Sequence, residues 1–119
     1  MKLLKGLAIL LLAGNLYAGT VSFETVDTTS ITAVGFTATN LYKTDTLSTR
    51  TRIYADSAVF VVEEANMRFR TDGTDPTGTV GTLVYIGDVV TIESSQDLAN
   101  FSIINTTGTT GRIQSHYYE

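Results

Sequence analysis

Short segments of alternating apolar and polar residues, separated by turn-forming residues, recur along most of this chain. Alternation with a period of two is plain in residues 20–26 and 66–71, and it places successive side chains on opposite faces of a strand. Residues 52–64 have the pattern of two strands with a kink at Asp56–Ser57, and the apolar run 58–62 predicts a central strand. Roughly eight or nine short strands at this spacing predict an all-β fold, either a β-sandwich or a jelly-roll-like domain.

Length and composition agree with one small β-rich domain. A chain of 119 residues has room for a single core. Charged residues make up only 17%, and the frequent threonines favour strands and turns over solvated helices. The formal net charge is −4, which makes a nucleic-acid backbone a poor partner. The sequence has no cysteine, so disulfide bonds and cysteine-based zinc sites are excluded, and stability is expected to come from packing.

Turn-forming residues are densest in FRTDGTDPTGTVG, residues 69–81, which contain the only proline and three glycines. Asp–Gly and Asp–Pro favour turns because aspartate bonds its own backbone, glycine accepts a positive φ and proline fixes φ. A Gly–Asp pair separates two predicted strands in residues 82–94, and a glycine-rich hairpin is predicted before a last strand from Arg112. The predicted structural turns are formed by Asp72, Gly73, Asp75, Pro76, Gly87 and Asp88.

The remaining element assignments complete the predicted core. Residues 30–42 are predicted to form a strand in which Gly35 marks a bulge or a close approach of another backbone. Ser94 is a predicted helix cap that is followed by about one helical turn. The apolar residues of these elements are predicted to form one core, composed of Phe60, Val62, Phe69, Val80, Leu83, Ile86, Val90, Ile92, Leu98, Phe101 and Ile103.

The N-terminus has the layout of a secretory signal peptide, with Lys2 and Lys5 before an apolar run over residues 7–13. The run is too short for a membrane span, which needs roughly 20 apolar residues. Residues 1–18 are therefore either a leader that is cleaved after Ala18 or a retained apolar arm, and residues 19–119 are the predicted sandwich domain. A retained arm is expected to contact neighbouring chains and drive association, because its leucines are costly to leave in water.

Several polar residues are candidates for chemistry, and each has a simpler structural explanation. Asp72 and Asp75 offer carboxylates for calcium, but they lack the further alternating carboxylates of a calcium loop and fit turns better. Glu63–Glu64 project to opposite faces of a strand and so do not form a carboxylate pair. His116, the only histidine, lacks a nucleophile motif to serve, and a surface or cross-strand position is expected. We predict no enzyme activity, catalytic residue, metal, cofactor or small-molecule substrate.

Charged and amide side chains outside these candidates also favour structural roles. Arg68, Arg70 and Arg112 are expected to form ion pairs at the rim of a sheet rather than a basic patch. Asn100 and Asn105 begin N-x-S/T sequons, which matter only in a glycosylating secretory pathway. Function is therefore expected to lie in surfaces rather than in a reactive site.

Residues 67–118 combine an arginine-bearing strand, a DGTDPT turn, a TVG step, a Gly–Asp turn, a DL-NF-I segment and a last strand ending in tyrosine. These features are carried by Arg68, Arg70, 72–77, 79–81, Gly87, Asp88, Asp97, Leu98, Asn100, Phe101, Ile103 and Tyr117. The combination resembles a group of small virion proteins of tailed bacteriophages. The resemblance implies a β-rich structural component of the particle, of the capsid-decoration, head-completion or fibre-base type.

The expected function is therefore that of a structural virion protein, located in the virion, which decorates or completes a bacteriophage particle. Its expected partners are copies of itself, in a homo-oligomer, and other virion structural proteins, since exposed strand edges suit repeated subunit contacts. The alternative, which the leader favours, is a secreted or periplasmic β-sandwich adhesion or binding module released by cleavage near Ala18. A mature chain starting at Gly19 supports export, and one starting at Met1 supports the virion interpretation.

Overall fold

The strands of this chain pair in antiparallel fashion in the computed structural model, which describes residues 20–29, 32–44, 52–108 and 110–119. The predicted N-terminal arm, residues 1–18, lies outside the described residues. Within the described ranges the chain forms nine strands, a 3-10 helix and a short α-helix. In chain order these are β1 (Thr20–Thr28), the 3-10 helix (Ala38–Leu41), β2 (Tyr42–Thr44), β3 (Arg52–Tyr54), β4 (Ser57–Glu64), β5 (Met67–Arg70), β6 (Thr82–Val84), β7 (Val89–Ile92), α1 (Ser95–Asn100), β8 (Ser102–Asn105) and β9 (Gly111–Tyr118).

Two sheets supply the strands that enclose the core. The larger sheet has the order β1-β9-β4-β7 and the smaller one the order β6-β5-β8, while β2 and β3 form a separate two-stranded ribbon. As predicted for residues 58–62, β4 is an interior strand, lying between β9 and β7. Buried side chains from both sheets join in one hydrophobic cluster. The predicted all-β fold is confirmed, and the two sheets form a small β-sandwich.

Consecutive strands frequently lie in opposite sheets rather than in local hairpins. From β4 onward the chain crosses between the two main sheets at every connection except β5 to β6, and the crossing from β7 to β8 contains α1. The predicted hairpin before the last strand is therefore wrong, because β8 pairs with β5 whereas β9 pairs with β1 and β4. Placing β8 and β9 in opposite sheets lets Ile103 and Ile113 contribute to the same core from its two sides.

Most of the predicted core residues are buried, and two are not. Phe69, Leu83 and Val90 are partly buried, and the fully buried members of the prediction are Phe60, Val62, Ile92, Leu98, Phe101 and Ile103. The assignment of Val80 and Ile86 to the core is wrong, since they are 48% and 60% exposed. Both lie in bends between strands, where turn geometry rather than the pleat of a sheet directs the side chain. The prediction missed Val26, Ala55, Ala58, Met67, Val84, Ile104, Ile113 and Tyr117.

The segment before the 3-10 helix is not the predicted strand. Val34 makes only an isolated bridge to Ile103, with N–H to carbonyl distances of 2.9 and 2.8 Å. A close backbone approach does exist at Gly35, because a Cβ there would lie 2.9 Å from the carbonyl oxygen of Phe101. The segment thus covers β8 by following the backbone of Phe101 closely, and the other half of the predicted strand turns into the 3-10 helix. Residues 30 and 31, the start of the predicted strand, lie outside the described residues.

The predicted helix cap is present at the start of α1. Ser94 accepts a hydrogen bond at its side-chain oxygen from the Asp97 backbone N–H (3.0 Å), and its carbonyl accepts one from the Leu98 N–H (3.0 Å). Asp97 also places a negative charge in the first turn, near the positive end of the helix dipole. The cap fixes the helix so that Leu98 enters the core.

Tyr117 links the core to the edge of the larger sheet. Its ring is fully buried, and its hydroxyl donates a hydrogen bond of 2.7 Å to Glu24 Oε1 on β1. Glu24 also accepts hydrogen bonds from the backbone N–H of Thr37 (3.1 Å) and from its hydroxyl (2.5 Å). Burial, reinforced by the carboxylate of Glu24, raises the pKa of the Tyr117 phenol well above its ordinary value of 10.0. Protonated Tyr117 thereby holds β9, β1 and the segment at Thr37 together.

This raised pKa predicts a loss of stability at high pH. The unfolded chain releases the phenol proton near pH 10 whereas the folded chain retains it, so the contribution is complete below about pH 10 and declines above it. Tyr117→Phe should remove that decline, which amounts to about 1.4 kcal/mol per pH unit above about pH 10. Urea unfolding between pH 8 and pH 11 measures the slope. Tyr85→Phe, at an exposed tyrosine, is the control, and equal slopes for Tyr117→Phe and the wild type would contradict the expectation.

Candidate functional site

The DGTDP stretch is a braced corner of the smaller sheet. Arg70 Nε donates to Asp72 Oδ1 at 3.0 Å, and the same oxygen accepts from the Thr74 N–H at 3.2 Å. Gly73 has a φ of 85°, which a residue with a side chain adopts at a cost. Asp75 Oδ1 accepts from the Ser102 hydroxyl at 2.8 Å, which ties the corner to β8. Asp72 therefore stabilises the turn, and Asp75 connects it to β8. Pro76, which follows Asp75, is buried.

The three arginines expected to form ion pairs have separate partners, and two of them do pair with carboxylates. Arg68 donates to the carbonyl oxygens of Gly78 (3.2 Å) and Gly81 (2.8 Å), and so clamps the bend before β6 against β5. Arg70 pairs with Asp72, and the hydrogen bond between them raises the pKa of the guanidinium and lowers that of the carboxyl. Arg112 pairs with Asp27 at 2.8 Å and lies 3.4 Å from Glu64. Consequently these arginines support loops and strand edges.

The remaining candidates for chemistry also lie apart. His116 is exposed on β9, with its ring 4.6 Å from that of Phe23 in an edge-on cross-strand contact. The predicted opposite orientation of Glu63 and Glu64 is wrong, because the bulge between Val62 and Glu64 turns both side chains to the outer face of the larger sheet. There Glu63 accepts from the Gln114 amide at 3.1 Å and Glu64 lies 3.4 Å from Arg112, two residues away on β9. Among the described residues, no three histidine, aspartate or glutamate side chains lie close enough together to hold a metal ion. Asn105, the first residue of a sequon, is fully buried, which makes it inaccessible for glycosylation in the folded chain.

Exposed apolar side chains are concentrated where the chain crosses from β6 to β7. Tyr85, Ile86 and Val89 are 53%, 60% and 64% exposed, and we call these three residues the apolar tip. Large apolar residues in adjacent positions of one turn are unlike the scattered exposed residues of an ordinary surface. Their grouping marks the tip as a candidate contact surface.

The turn that contains the apolar tip is stabilised by hydrogen bonds of the backbone and of the Asp88 carboxylate. The Asp88 carboxylate accepts from the Tyr85 N–H at 2.8 Å, and the Asp88 N–H donates to the Tyr85 carbonyl at 2.9 Å. On the β4 side, Val62 donates to the Asp88 carbonyl (3.0 Å) and accepts from the Gly87 N–H (2.8 Å). Gly87 has a φ of 93°, in keeping with its predicted role in a turn. The tip is thus presented on an ordered support, which lowers the entropic cost of binding through it.

The strand that follows the tip is an edge of the larger sheet. In the described part of the chain β7 pairs with β4 alone, so that its other side has no strand neighbour. Its sequence, VVTI, carries no charge and no proline, the two features that usually protect an edge against pairing with another chain. The opposite edge strand, β1, is shielded differently, since Glu24 binds Thr37 and the Ser22 hydroxyl donates to the carbonyl of Asn40.

A second apolar feature is a groove of about 360 Å³ that is lined by residues of the 3-10 helix and of α1. Three alanines leave the space, because larger apolar side chains at their positions would fill it. Two polar residues of α1 also line the groove, and its apolar lining consists of Phe36, Ala38, Leu41, Ala55, Leu98 and Ala99. No sequence pattern points to this groove, because its walls come from three separate segments.

Comparisons with protein families, with curated proteins and with solved structures found no match for this chain. None of the helices in the described ranges has the length and apolar character that crossing a membrane requires. The apolar tip, the edge of β7 and the groove are therefore interpreted from their own geometry.

Proposed function

We propose that this chain is a structural protein of a tailed-bacteriophage particle, which it decorates or completes by binding copies of itself and other virion proteins. The observation that carries the proposal is the apolar tip beside the uncharged edge of β7. A surface that combines exposed apolar side chains with unpaired backbone groups suits protein contacts better than small molecules. The phage class comes from the resemblance of residues 67–118 to small virion proteins.

A second copy of the chain is the proposed occupant of the tip. In a twofold contact β7 of one copy lies antiparallel to β7 of the other, so that each strand supplies the hydrogen bonds that the other lacks. Val89 belongs both to β7 and to the tip, which places the apolar contact next to the strand pairing. Residues 89–92 carry no charge, so that no like charges would repel each other across the paired strands.

The proposal predicts that the protein is a stoichiometric component of particles and enters them through the tip. Mass spectrometry of purified particles should find the wild-type chain in copy numbers comparable to other structural proteins. Ile86→Asp should reduce incorporation and self-association by at least about tenfold, because a charge replaces apolar surface in the contact. Val80→Asp is the matched control, since Val80 is an exposed apolar residue in a different bend.

Sedimentation velocity on the purified full-length variants measures self-association separately from incorporation into particles. An Ile86→Asp chain that associates like the wild type would exclude the tip as the contact surface. Particles without peptides from the wild-type chain would exclude the virion role. Thermal unfolding checks that both variants fold, and only small changes are expected at these exposed positions.

The second candidate function is a secreted or periplasmic binding module. The observation that favours it is the arrangement of Lys2, Lys5 and the apolar run 7–13 before Ala18. Sequencing the N-terminus of the mature protein distinguishes it, because export predicts a chain that begins at Gly19. In that case the tip and the edge of β7 would bind an extracellular partner.

A further inference from the structure

We propose that the groove beside the 3-10 helix is the binding site for the N-terminal apolar segment of the same chain, residues 7–13. This inference is independent of the virion proposal, which rests on the apolar tip, and it replaces the expected contact of a retained arm with neighbouring chains by a contact within one chain. It concerns how the chain accommodates a segment that contains no charged or polar side chain.

The walls of the groove match an apolar segment of this size. Leu41 and Ala38 of the 3-10 helix form one wall, and Leu98 and Ala99 of α1 form another. Ala55 connects them, because its N–H donates to the Leu41 carbonyl at 2.8 Å. A volume of about 360 Å³ falls within the range of sites that enclose small apolar ligands, roughly 300–1,000 Å³. The groove therefore has room for several aliphatic side chains.

The path of β1 brings the N-terminal segment to this groove. Glu24 binds the backbone N–H of Thr37, and Ser22, two residues earlier, binds the carbonyl of Asn40, three residues later. The start of β1 and the 3-10 helix segment therefore run antiparallel. Thr20, the first residue of β1, consequently lies toward the end of the 3-10 helix at which Leu41 lines the groove. Each extended residue spans roughly 3.3–3.6 Å, so that the six residues between the apolar run and Thr20 reach about 20 Å.

Connection in one chain favours this occupant over competitors. A segment tethered at Thr20 experiences an effective concentration on the order of millimolar near the groove, well above that of an unlinked chain at ordinary concentration. The segment supplies leucine, isoleucine and alanine side chains, which match the apolar lining in chemistry. Binding would remove both the apolar segment and the groove from water, and this is the driving force.

The absence of native cysteine permits a direct test in the full-length chain. Single cysteines at positions 7 to 13 are combined one at a time with Ala99→Cys, oxidised, and analysed by non-reducing electrophoresis and mass spectrometry. One or two of these pairs should form an intramolecular disulfide in high yield, because a disulfide needs Cα atoms about 4.4–6.8 Å apart. Thr110→Cys replaces Ala99→Cys as the matched control and should give no such bond, because this exposed site lies beside Gly111 at the end of β1 that is far from Thr20.

A second measurement does not depend on introduced cysteines. Ala99→Trp fills the groove and should speed hydrogen exchange in residues 7–13 of the full-length chain by at least about tenfold, whereas Thr110→Trp should leave it unchanged. Equal exchange in Ala99→Trp and the wild type would overturn the proposal. So would cross-linked dimers in place of the intramolecular bond, a co-purified apolar ligand in the groove, or a mature chain that begins at Gly19.

Discussion

Replacing Phe101 with alanine is expected to lower the free energy of unfolding by about 3–5 kcal/mol. The ring is buried and stacks on Phe36 with a centroid distance of 3.9 Å and an interplanar angle of 4°. It also contacts the rings of Phe60 at 5.5 Å and Phe69 at 5.8 Å, one from each main sheet. Truncation removes contacts to both layers and leaves a cavity between them, so the loss is a large part of a typical domain stability of about 5–15 kcal/mol.

Urea unfolding followed by circular dichroism measures this effect, provided that the variant still folds. Phe23→Ala is the control, because Phe23 is a phenylalanine on β1 that is 47% exposed, and a change below about 1 kcal/mol is expected there. A Phe101→Ala protein as stable as Phe23→Ala would contradict the position of this ring at the centre of the core. If Phe101→Ala does not fold, Phe101→Leu should retain part of the packing and show an intermediate loss.

Replacing Asn105 with alanine is expected to cost about 2–4 kcal/mol, since buried partners left without a hydrogen bond cost roughly 1–3 kcal/mol each. Asn105 ends β8 and is fully buried. Its amide nitrogen donates to the Thr28 hydroxyl at 2.8 Å, and its amide oxygen accepts from the backbone N–H groups of Gly108 (2.8 Å) and Thr107 (3.3 Å). One side chain therefore joins the end of β1 to the crossing from β8 to β9.

Asn100→Ala tests whether this cost comes from the buried hydrogen bonds or from asparagine replacement in general. Asn100 is half-buried at the end of α1, and a change below about 1 kcal/mol is expected. Hydrogen exchange adds a local test, because the amides of Thr107 and Gly108 should lose protection in Asn105→Ala before the core strands do. Similar stability of the two variants would show that the Asn105 bonds contribute little.

Several strands, turns and caps could be predicted from short sequence patterns. The continuous apolar run of residues 58–62 identified an interior strand, and the glycine in the Gly87–Asp88 pair adopts the positive φ that its turn requires. Ser94 was recognisable as a cap, and Gly35 as a point of close backbone approach. Each of these depends on residues near one another in sequence or on a conformation that one residue type favours.

The candidate surfaces were harder to predict. Ile86 is apolar and lies between two strands, so its residue type favoured the core. It faces solvent because it lies in a turn whose Gly87 and Asp88 are hydrogen-bonded to Val62. The position of Ile86 directly before Gly87–Asp88 was the available signal, since turn residues leave the alternating faces of a sheet. The groove had no comparable signal, because its lining is assembled from segments around Leu41, Ala55 and Leu98.

The sequence by itself determined that this chain forms short strands with fixed corners, because alternation, caps and turn dipeptides act over a few residues. Only the tertiary structure decided which sheet each strand joins. Pairing partners far apart in sequence, such as β1 with β9, are selected by how well two faces cover each other and not by any local pattern. That selection buries Tyr117 and Asn105 and leaves Ile86 and the edge of β7 exposed, which is where the proposed contacts lie.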